Sequence, residues 1–386
     1  MRLAIVTSHP IQYQAPLFRE LARRIDARVF FAHRASGQDH ARAGFGFGFD
    51  WDVDLLSGYE HRFLGNVAPE PGLHHFAGCD NPEISEQLQR GAFDALLVTG
   101  WHLKCYWQAI WAAKRRGIPV MVRGDSHLAT PRGRLKRAGK AVVYPAALRV
   151  FDAALYVGEW SRRYWQHYGY PAHRLVFSPH CVDNAWFAAR ATEEAGARLR
   201  AAHGIEPNAK VVLFAGKLVP FKRVTDAALA AGILSGQQRP VTLMIAGSGP
   251  SADELTTVAG AAGVRLLHLG FCNQTAMPQA YAAANALVLP SEHETWGLVA
   301  NESLACGTPI IVSDACGCAA DLAADGAAGR IVPVGDISTL AAAMLDLLDH
   351  PPAREVIADR IARYSPAAAA DGIIEAAGRV TRRSAA

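Results

Sequence analysis

Short apolar runs rich in Val, Ile and Leu alternate with longer segments of helical periodicity along the whole chain. That rhythm admits few arrangements other than parallel sheets flanked by helices. A parallel strand is buried on both faces, so it reads as a continuous apolar run rather than an alternating one. In the first half such runs fall at 3–8, 27–32, 95–99, 119–123, 153–157 and 175–178, with helical patterns at 16–24, 103–116 and 161–168. The second half places strands at 211–215, 242–246, 265–269, 286–289 and 310–313, and helices at 223–234, 252–262, 278–283, 298–306 and 337–348. Between 39 and 71 the pattern gives way to Gly- and aromatic-rich sequence, which reads as long loops with a strand or hairpin at 51–56.

A chain of 386 residues and 41.4 kDa exceeds what one hydrophobic core usually organises. The fold class expected is α/β, as two Rossmann-like parallel-sheet domains, 1–182 and 183–365, joined through Pro179-His180-Cys181-Val182-Asp183. The Ala-rich segment 366–386 follows a second sheet that is already complete, so it is expected to pack back on the first domain. Two such sheets facing across a cleft bind ligands in the crevice at the carboxyl ends of their strands.

With 51% hydrophobic and 19% charged residues, the chain is neither a disordered tail nor a fibre. No apolar run approaches the ~20 residues needed to span a bilayer, and Met1-Arg2 leads directly into a strand-like run instead of a signal peptide. A cytoplasmic location is expected, with contact to the inner face of the cell membrane at most peripheral. Seven scattered Cys suit reduced core thiols, and Cys316-Gly317-Cys318 has no companion pair at zinc-site spacing. Charge is uneven: residues 1–190 carry 24 Lys and Arg against 16 Asp and Glu, and residues 191–386 carry 15 against 19. The basic half should therefore face something anionic. Its densest cluster, Arg132, Arg134, Lys136, Arg137 and Lys140, can sit on an anionic membrane, hold an anionic acceptor, or be a solvated helix face. Nucleic acid is not expected, because no recognition motif accompanies the small excess.

The sharpest motif runs from Pro290 to Pro309, as strand, loop, helix and strand. Glu294 sits in its loop, and Glu302 lies five residues past Gly297, roughly 7.5 Å along a helix that starts there. Between the two carboxylates, the unpaired N–H groups of the first helical residues, around Gly297, Leu298 and Val299, favour phosphate. A molecule with hydroxyl groups at both ends and phosphate in the middle fits, which describes a nucleotide-sugar. A second strand, ending at Phe214-Ala215-Gly216, carries Lys217 and Lys222, whose ammonium groups can neutralise a pyrophosphate.

The Glu294 to Glu302 spacing, the Cys306-Gly307-Thr308-Pro309 run, the Gly216-Lys217 and Lys222 loop, and Leu269-Gly270-Phe271 before Tyr281-Ala282-Ala283-Ala284 resemble the retaining glycosyltransferases of family 4, which have the GT-B fold. The resemblance is specific over 205–335 and looser before it. It implies that Glu294 contacts the donor sugar and Glu302 the ribose, that Lys217 and Lys222 hold the diphosphate, and that Gly270, Phe271 and Cys272 lie near the base. Lys217 stands where many members have arginine, and Thr295-Trp296 replace the usual glycine and phenylalanine, so Trp296 is expected to reshape the sugar pocket. The opening Ser8-His9-Pro10 loop lacks the glycine pair many members carry. An N-domain histidine lies beside the reacting sugar in similar enzymes. His127 is the candidate here, with Asp125 as the alternative.

For the acceptor, His9, Gln12 and Tyr13 follow the first strand and can face the crevice, while Trp101 and His102, with Trp107 and Trp111, can stack on sugar rings. Asp50-Trp51-Asp52-Val53-Asp54 contains D-x-D twice, but its alternation reads as a half-exposed strand and not as a metal site. Gly247-Ser248-Gly249-Pro250 is a weak glycine turn. The activity expected is transfer of a sugar from a nucleoside diphosphate to a hydroxyl of a saccharide or lipid-linked glycan, without metal or other cofactor. No carboxylate is placed as a covalent nucleophile, so front-face departure is favoured, with the leaving phosphate taking the proton. A glycoside hydrolase does not require the lysines. A sugar phosphate synthase or phosphorylase of the same fold, and a nucleotide-sugar sensor without turnover, remain as rivals.

Overall fold

The structure is a computed structural model that describes residues 1–40, 47–129 and 133–384. Arg132 of the basic cluster and the last two residues of the expected C-terminal helix lie outside the described residues. The first sheet contains β1 (Arg2–Thr7), β2 (Asp26–Phe31), β3 (Glu60–Phe63), β4 (Ala95–Val98), β5 (Val120–Gly124), β6 (Ala153–Tyr156) and β7 (Leu175–Phe177), in the order β3-β2-β1-β4-β5-β6-β7. The second contains β8 (Lys210–Ala215), β9 (Val241–Ala246), β10 (Arg265–Gly270), β11 (Ala286–Leu289), β12 (Ile310–Ser313) and β13 (Gly329–Val332), in the order β10-β9-β8-β11-β12-β13. Every pairing is parallel. The alternation in the sequence therefore reports the architecture correctly.

Burial on both faces explains why the strands read as unbroken apolar runs. In β1, Ala4 and Val6 join the core beneath one face of the sheet, while Leu3 and Ile5 join the core on the other. In β8, Val211, Leu213 and Ala215 point to one core, and Val212 and Phe214 to the opposite one. Helices cover all four faces, the arrangement parallel sheets require.

Two strands escape the sequence pattern. Edge strand β3 reads Glu-His-Arg-Phe because it is only half-buried, so its composition is polar. Strand β13 begins with Gly329 because a Cβ there would stand 2.3 Å from the Ile310 carbonyl oxygen of the neighbouring strand. Conversely, the strand or hairpin expected at 51–56 does not form. Asp54 accepts hydrogen bonds from the backbone N–H groups of Leu56 and Ser57, a turn that ends any extended run.

The helix Pro366–Ser384 crosses from the second sheet to the first. Ala369, Ala370, Ile373, Ala376, Ala377 and Val380 are buried with Leu3, Ile5, Leu17 and Leu21. Small side chains let this helix lie close to the sheet: a Cβ on Gly372 would stand 1.9 Å from the Phe177 carbonyl oxygen. The Ser178 hydroxyl donates to the Ala369 carbonyl, 2.9 Å away, pinning the helix to the domain junction. Gly372→Ala is expected to overpack this contact and cost about 1–3 kcal/mol. In thermal unfolding it should melt below both the unaltered protein and Gly378→Ala, whose added methyl meets only the far end of the Arg382 side chain.

Candidate functional site

Both sheets reverse strand order next to their first strand, and the crevice opens where the carboxyl ends at these reversals face each other. Three glycines at the ends of β8, β9 and β10 set the floor on the second domain. Gly216 and Gly270 have φ of +143° and +71°, values L side chains rarely adopt. Gly247 lies so close that its Cβ would stand 1.8 Å from the Gly216 carbonyl oxygen, while its N–H donates to Gly270 at 2.7 Å.

Above that floor, the loop after β8 carries Lys217 and a short turn, Pro220–Lys222. The loop after β11 comes alongside it. The Glu292 N–H donates to the Phe221 carbonyl at 2.7 Å, the Phe221 and His293 rings stack at 4.5 Å, and the Lys222 ammonium pairs with the Glu294 carboxylate. Burial and then the neighbouring Lys222 charge hold Lys217 below the usual lysine range, against the pull of Glu294. Glu294 is stitched down from its other side: its N–H donates to Ala315, and its carbonyl accepts from Gly317 at 2.9 Å. Gly317 must be glycine, because a Cβ would stand 2.0 Å from the Thr295 carbonyl.

Gly297, at φ +96°, turns the chain into the helix Leu298–Ala305. One turn in, Glu302 is 7% exposed and accepts a 2.7 Å hydrogen bond from the Tyr281 hydroxyl. Burial raises its carboxyl to about 7, opposed by the Tyr281 and Gln274 hydrogen bonds. These groups line one cavity of about 480 Å³. Lys217, Lys222, Phe271, Cys272, Glu294, Gly297, Leu298, Val299 and Glu302 all face it, and Gln12 and His127 close it from the first domain. The Gln12 side-chain oxygen is buried with no protein partner. The His127 ring lies 5.2 Å from Trp160.

Other expected site residues lie elsewhere. Trp296 does not reach the cavity. The rim of its indole occupies the space a Cβ on Gly158 would take, its Nε1 donates to Asn301 at 2.8 Å, and its ring packs against His180 and Tyr364. It is a wedge between domains because Gly158 leaves room for it. Gly270 shapes the floor without lining the cavity. Trp101 packs on Phe151 and Trp165 in the first domain's core, 6.0 and 5.6 Å between rings, while Trp107 donates to the Trp101 carbonyl. His9 lies 2.9 Å from the Ser8 hydroxyl and does not line the cavity.

Asp125 stands outside the cavity as the centre of a second polar group. Burial pushes its carboxyl up, but the hydrogen bond and charge of His180, 3.6 Å away, together with His127, bring it below the usual range. Tyr13 meets the His180 ring edge-on at 5.9 Å, and burial, then Asp125, pushes its hydroxyl up to about 12. Desolvation by its neighbours holds His102 below the usual range, with Asp125 opposing. Arg123, by contrast, is structural: its Nε donates to the Ser178 carbonyl and hydroxyl.

The cavity also contains residues that sequence reasoning left out, namely Trp51, Phe221, Gly247, Ser248, Gln274, Met277 and His293. Of these, only the glycine turn after β9 carried a usable signal, its position at the end of a strand next to the Gly216 loop. Among the described residues no three His, Cys, Asp or Glu side chains converge as a metal cage.

Residues 197–376 match the family of glycosyl transferases group 1. The D-inositol 3-phosphate glycosyltransferase of Mycolicibacterium vanbaalenii is 32% identical over 345 residues, 79% of this chain and 74% of that enzyme. The alpha-D-kanosaminyltransferase of Streptomyces kanamyceticus is 31% identical over 206 residues, 52% of either chain, so the match spans about half its length. Anabaena HepE, in complex with UDP, is 18% identical and covers 98% of this chain and 100% of its own, with a TM-score of 0.71. At that identity the likeness speaks to the fold alone, and the fold is GT-B.

Glu302 makes a pH-dependent prediction. The folded protein holds this proton up to about pH 7, whereas the unfolded chain releases it near 4.5, so stability falls as pH rises from about 4.5 to 7 and levels off above that. The penalty at pH 8 is at most about 3 kcal/mol. Glu302→Gln keeps an oxygen to accept from Tyr281 and has no charge to bury. Ligand-free, it should melt above the unaltered protein at pH 8, with the gap narrowing at pH 5. A gap independent of pH would contradict this assignment.

Proposed function

The chain belongs to the glycosyl transferases group 1, and from that premise we propose that it is a retaining, family 4 type enzyme. It moves a sugar from a nucleoside diphosphate to a hydroxyl of a saccharide, lipid-linked glycan or related acceptor. The observation that carries this reading is one cavity lined by Lys217, Lys222, Glu294, Glu302 and the first residues of the helix Leu298–Ala305. The lysines and the helix N-terminus bind the diphosphate, Glu302 the ribose hydroxyls and Glu294 the sugar hydroxyls. Two lysines neutralise the phosphate charge, so the reaction needs no metal. The complex of Anabaena HepE with UDP supports a nucleoside diphosphate as the leaving group.

In the reaction the bond from the sugar's anomeric carbon to the phosphate oxygen breaks as the acceptor oxygen bonds to that carbon from the same face. The acceptor's proton passes to the departing phosphate oxygen. Lys217 and Lys222 stabilise the charge that develops there. Lys222 starts paired with Glu294, so its ammonium is already positioned when the phosphate arrives. His127, at the first-domain side of the cavity, orients the sugar, and Gln12 beside it, with Tyr13 and His102, is assigned to the acceptor.

Calorimetry with a panel of nucleoside diphosphates tests this. Glu302→Ala and Lys217→Ala should weaken nucleotide binding by about tenfold or more, the size of a lost charged hydrogen bond. Glu294→Ala should mainly lower turnover. Unchanged affinity in the Glu302 variant would count against the site. Nuclear magnetic resonance of the product should show the donor's anomeric configuration retained.

We also propose a cytoplasmic enzyme that works against an anionic membrane face, where a lipid-linked acceptor would be found. No helix among the described residues is long and apolar enough to cross a membrane. The helix Arg134–Ala147 has no buried residue; Leu135 is 90% and Val142 80% exposed, in register two turns apart beside Lys136, Arg137 and Lys140. Such a helix can lay apolar side chains into the headgroup region while its cations meet anionic lipid. Sedimentation with phosphatidylglycerol vesicles should pull the protein down in low salt. Replacing Leu135 and Val142 with Ser, or the three cations with Gln, should abolish it.

A further inference from the structure

The segment Phe47-Gly48-Phe49-Asp50-Trp51-Asp52 belongs to the first domain but reaches across to the second. It grips the loop after β10 on both sides of Gln274. The Asn273 side-chain amide donates to the Asp50 carbonyl at 2.8 Å, and the Thr275 N–H and hydroxyl donate to the Asp52 carboxylate. Its rings gather on Phe271: Phe49 at 4.6 Å and Phe47 at 5.0 Å, with Trp51 edge-on to Phe49 at 5.0 Å. Trp51 itself lines the cavity.

The position of this strap identifies which end of the cavity it covers. Gln274, between the two gripped residues, hydrogen-bonds the Glu302 carboxylate. Under the donor-site reading above, on which this inference rests, Glu302 is the ribose end, so the strap lies at the nucleoside end. The hydrogen bonds of Asp52 are exposed and individually weak, whereas Trp51 places an aromatic ring in the wall of the cavity, where a planar ligand can pack on it.

We propose that Trp51 is a nucleobase-binding residue of the donor site: its indole stacks on the base, and the Asp50 and Asp52 contacts hold it there. Both domains then contribute to the nucleotide site, and nucleotide binding favours the state in which the strap is engaged. Stacking is tolerant of base identity, because every base presents a π-face. Choice among bases then falls to the edge contacts of the Phe271–Met277 loop.

The test compares UDP, GDP, ADP and dTDP by calorimetry and uses inorganic pyrophosphate as a ligand without a base. Trp51→Ala should weaken the tightest-binding nucleoside diphosphate about tenfold, the size of one base–aromatic stack, and leave pyrophosphate affinity unchanged. Trp51→Phe should recover most of the loss. Asp52→Ala should weaken the same nucleotide a few fold, again sparing pyrophosphate. Equal losses for nucleotide and pyrophosphate, or no loss in Trp51→Ala while Glu302→Ala binds poorly, overturn the proposal alone. Failure of all four nucleotides to bind the unaltered protein overturns the donor-site reading and the proposal with it.

Discussion

Strands β8 and β11 lie side by side in the second sheet, and that adjacency brings together Lys222 and Glu294, residues 72 positions apart in sequence. Each sits in the loop that leaves the carboxyl end of its strand. Their ion pair, the Phe221–His293 stack beside it and the Glu292 hydrogen bond to Phe221 tie the two loops into one wall. The rest of the cavity is arranged around this wall. Lys217 precedes it by half a loop, Gly297 follows it into the helix, and Glu302 projects from that helix one turn later. A sheet that did not reverse its order at β8 would not bring these loops together, whatever residues they carried.

Holding the two domains at a fixed distance is a separate problem, and the chain solves it with groups that do no chemistry. Trp296 is wedged onto Gly158, Asn301 donates to the His180 carbonyl, and the Asp321 carboxylate caps the first-domain helix Glu159–His167 by accepting from the Glu159 N–H at 3.0 Å. Burial raises the Asp321 carboxyl above the usual range, and the hydrogen bonds from Glu159 and Tyr364 oppose that rise. The Pro366–Ser384 helix then returns to the first sheet, so the backbone passes twice between domains. The strap at Trp51 adds a contact on the opposite side of the crevice from this junction. Its hydrogen bonds are exposed, so this contact can open at lower cost than either core.

Sequence reasoning reached the fold because buried parallel strands and amphipathic helices each impose their own period, and nearly every strand here is buried on both faces. It reached the charged part of the cavity for a related reason. Lys217, Lys222, Glu294 and Glu302 sit at strand ends or within one helical turn, where local spacing determines position. Side chains whose placement depends on the other domain were not legible. Trp296 and Trp51 are both tryptophans in loops beside acidic residues, and nothing in their local sequence says that one turns away to meet Gly158 while the other crosses to line the cavity. The D-x-D alternation around Trp51 imitates a strand. Its carboxylates instead serve a turn, in Asp54, and a tether to Thr275, in Asp52. Gly247 reads in the sequence only as part of a weak glycine turn, yet it has the plain role of letting the Gly216 loop pass within contact distance.

Two ionisable groups that line the cavity sit where their surroundings disfavour their charge. Lys217 is disfavoured as a cation by burial and by Lys222, and Glu302 as an anion by burial. A fold selected only for stability would replace both with neutral side chains. Glu294 compensates Lys222 but leaves Lys217 disfavoured as a cation, so a further anion is welcome beside the two lysines, and a buried carboxylate calls for hydroxyl donors. The diphosphate and ribose of the proposed donor would meet both demands at once. On that reading, the free energy regained when these groups find their partners would contribute to binding instead of to folding, and the same charges would remain in place as phosphate leaves the sugar.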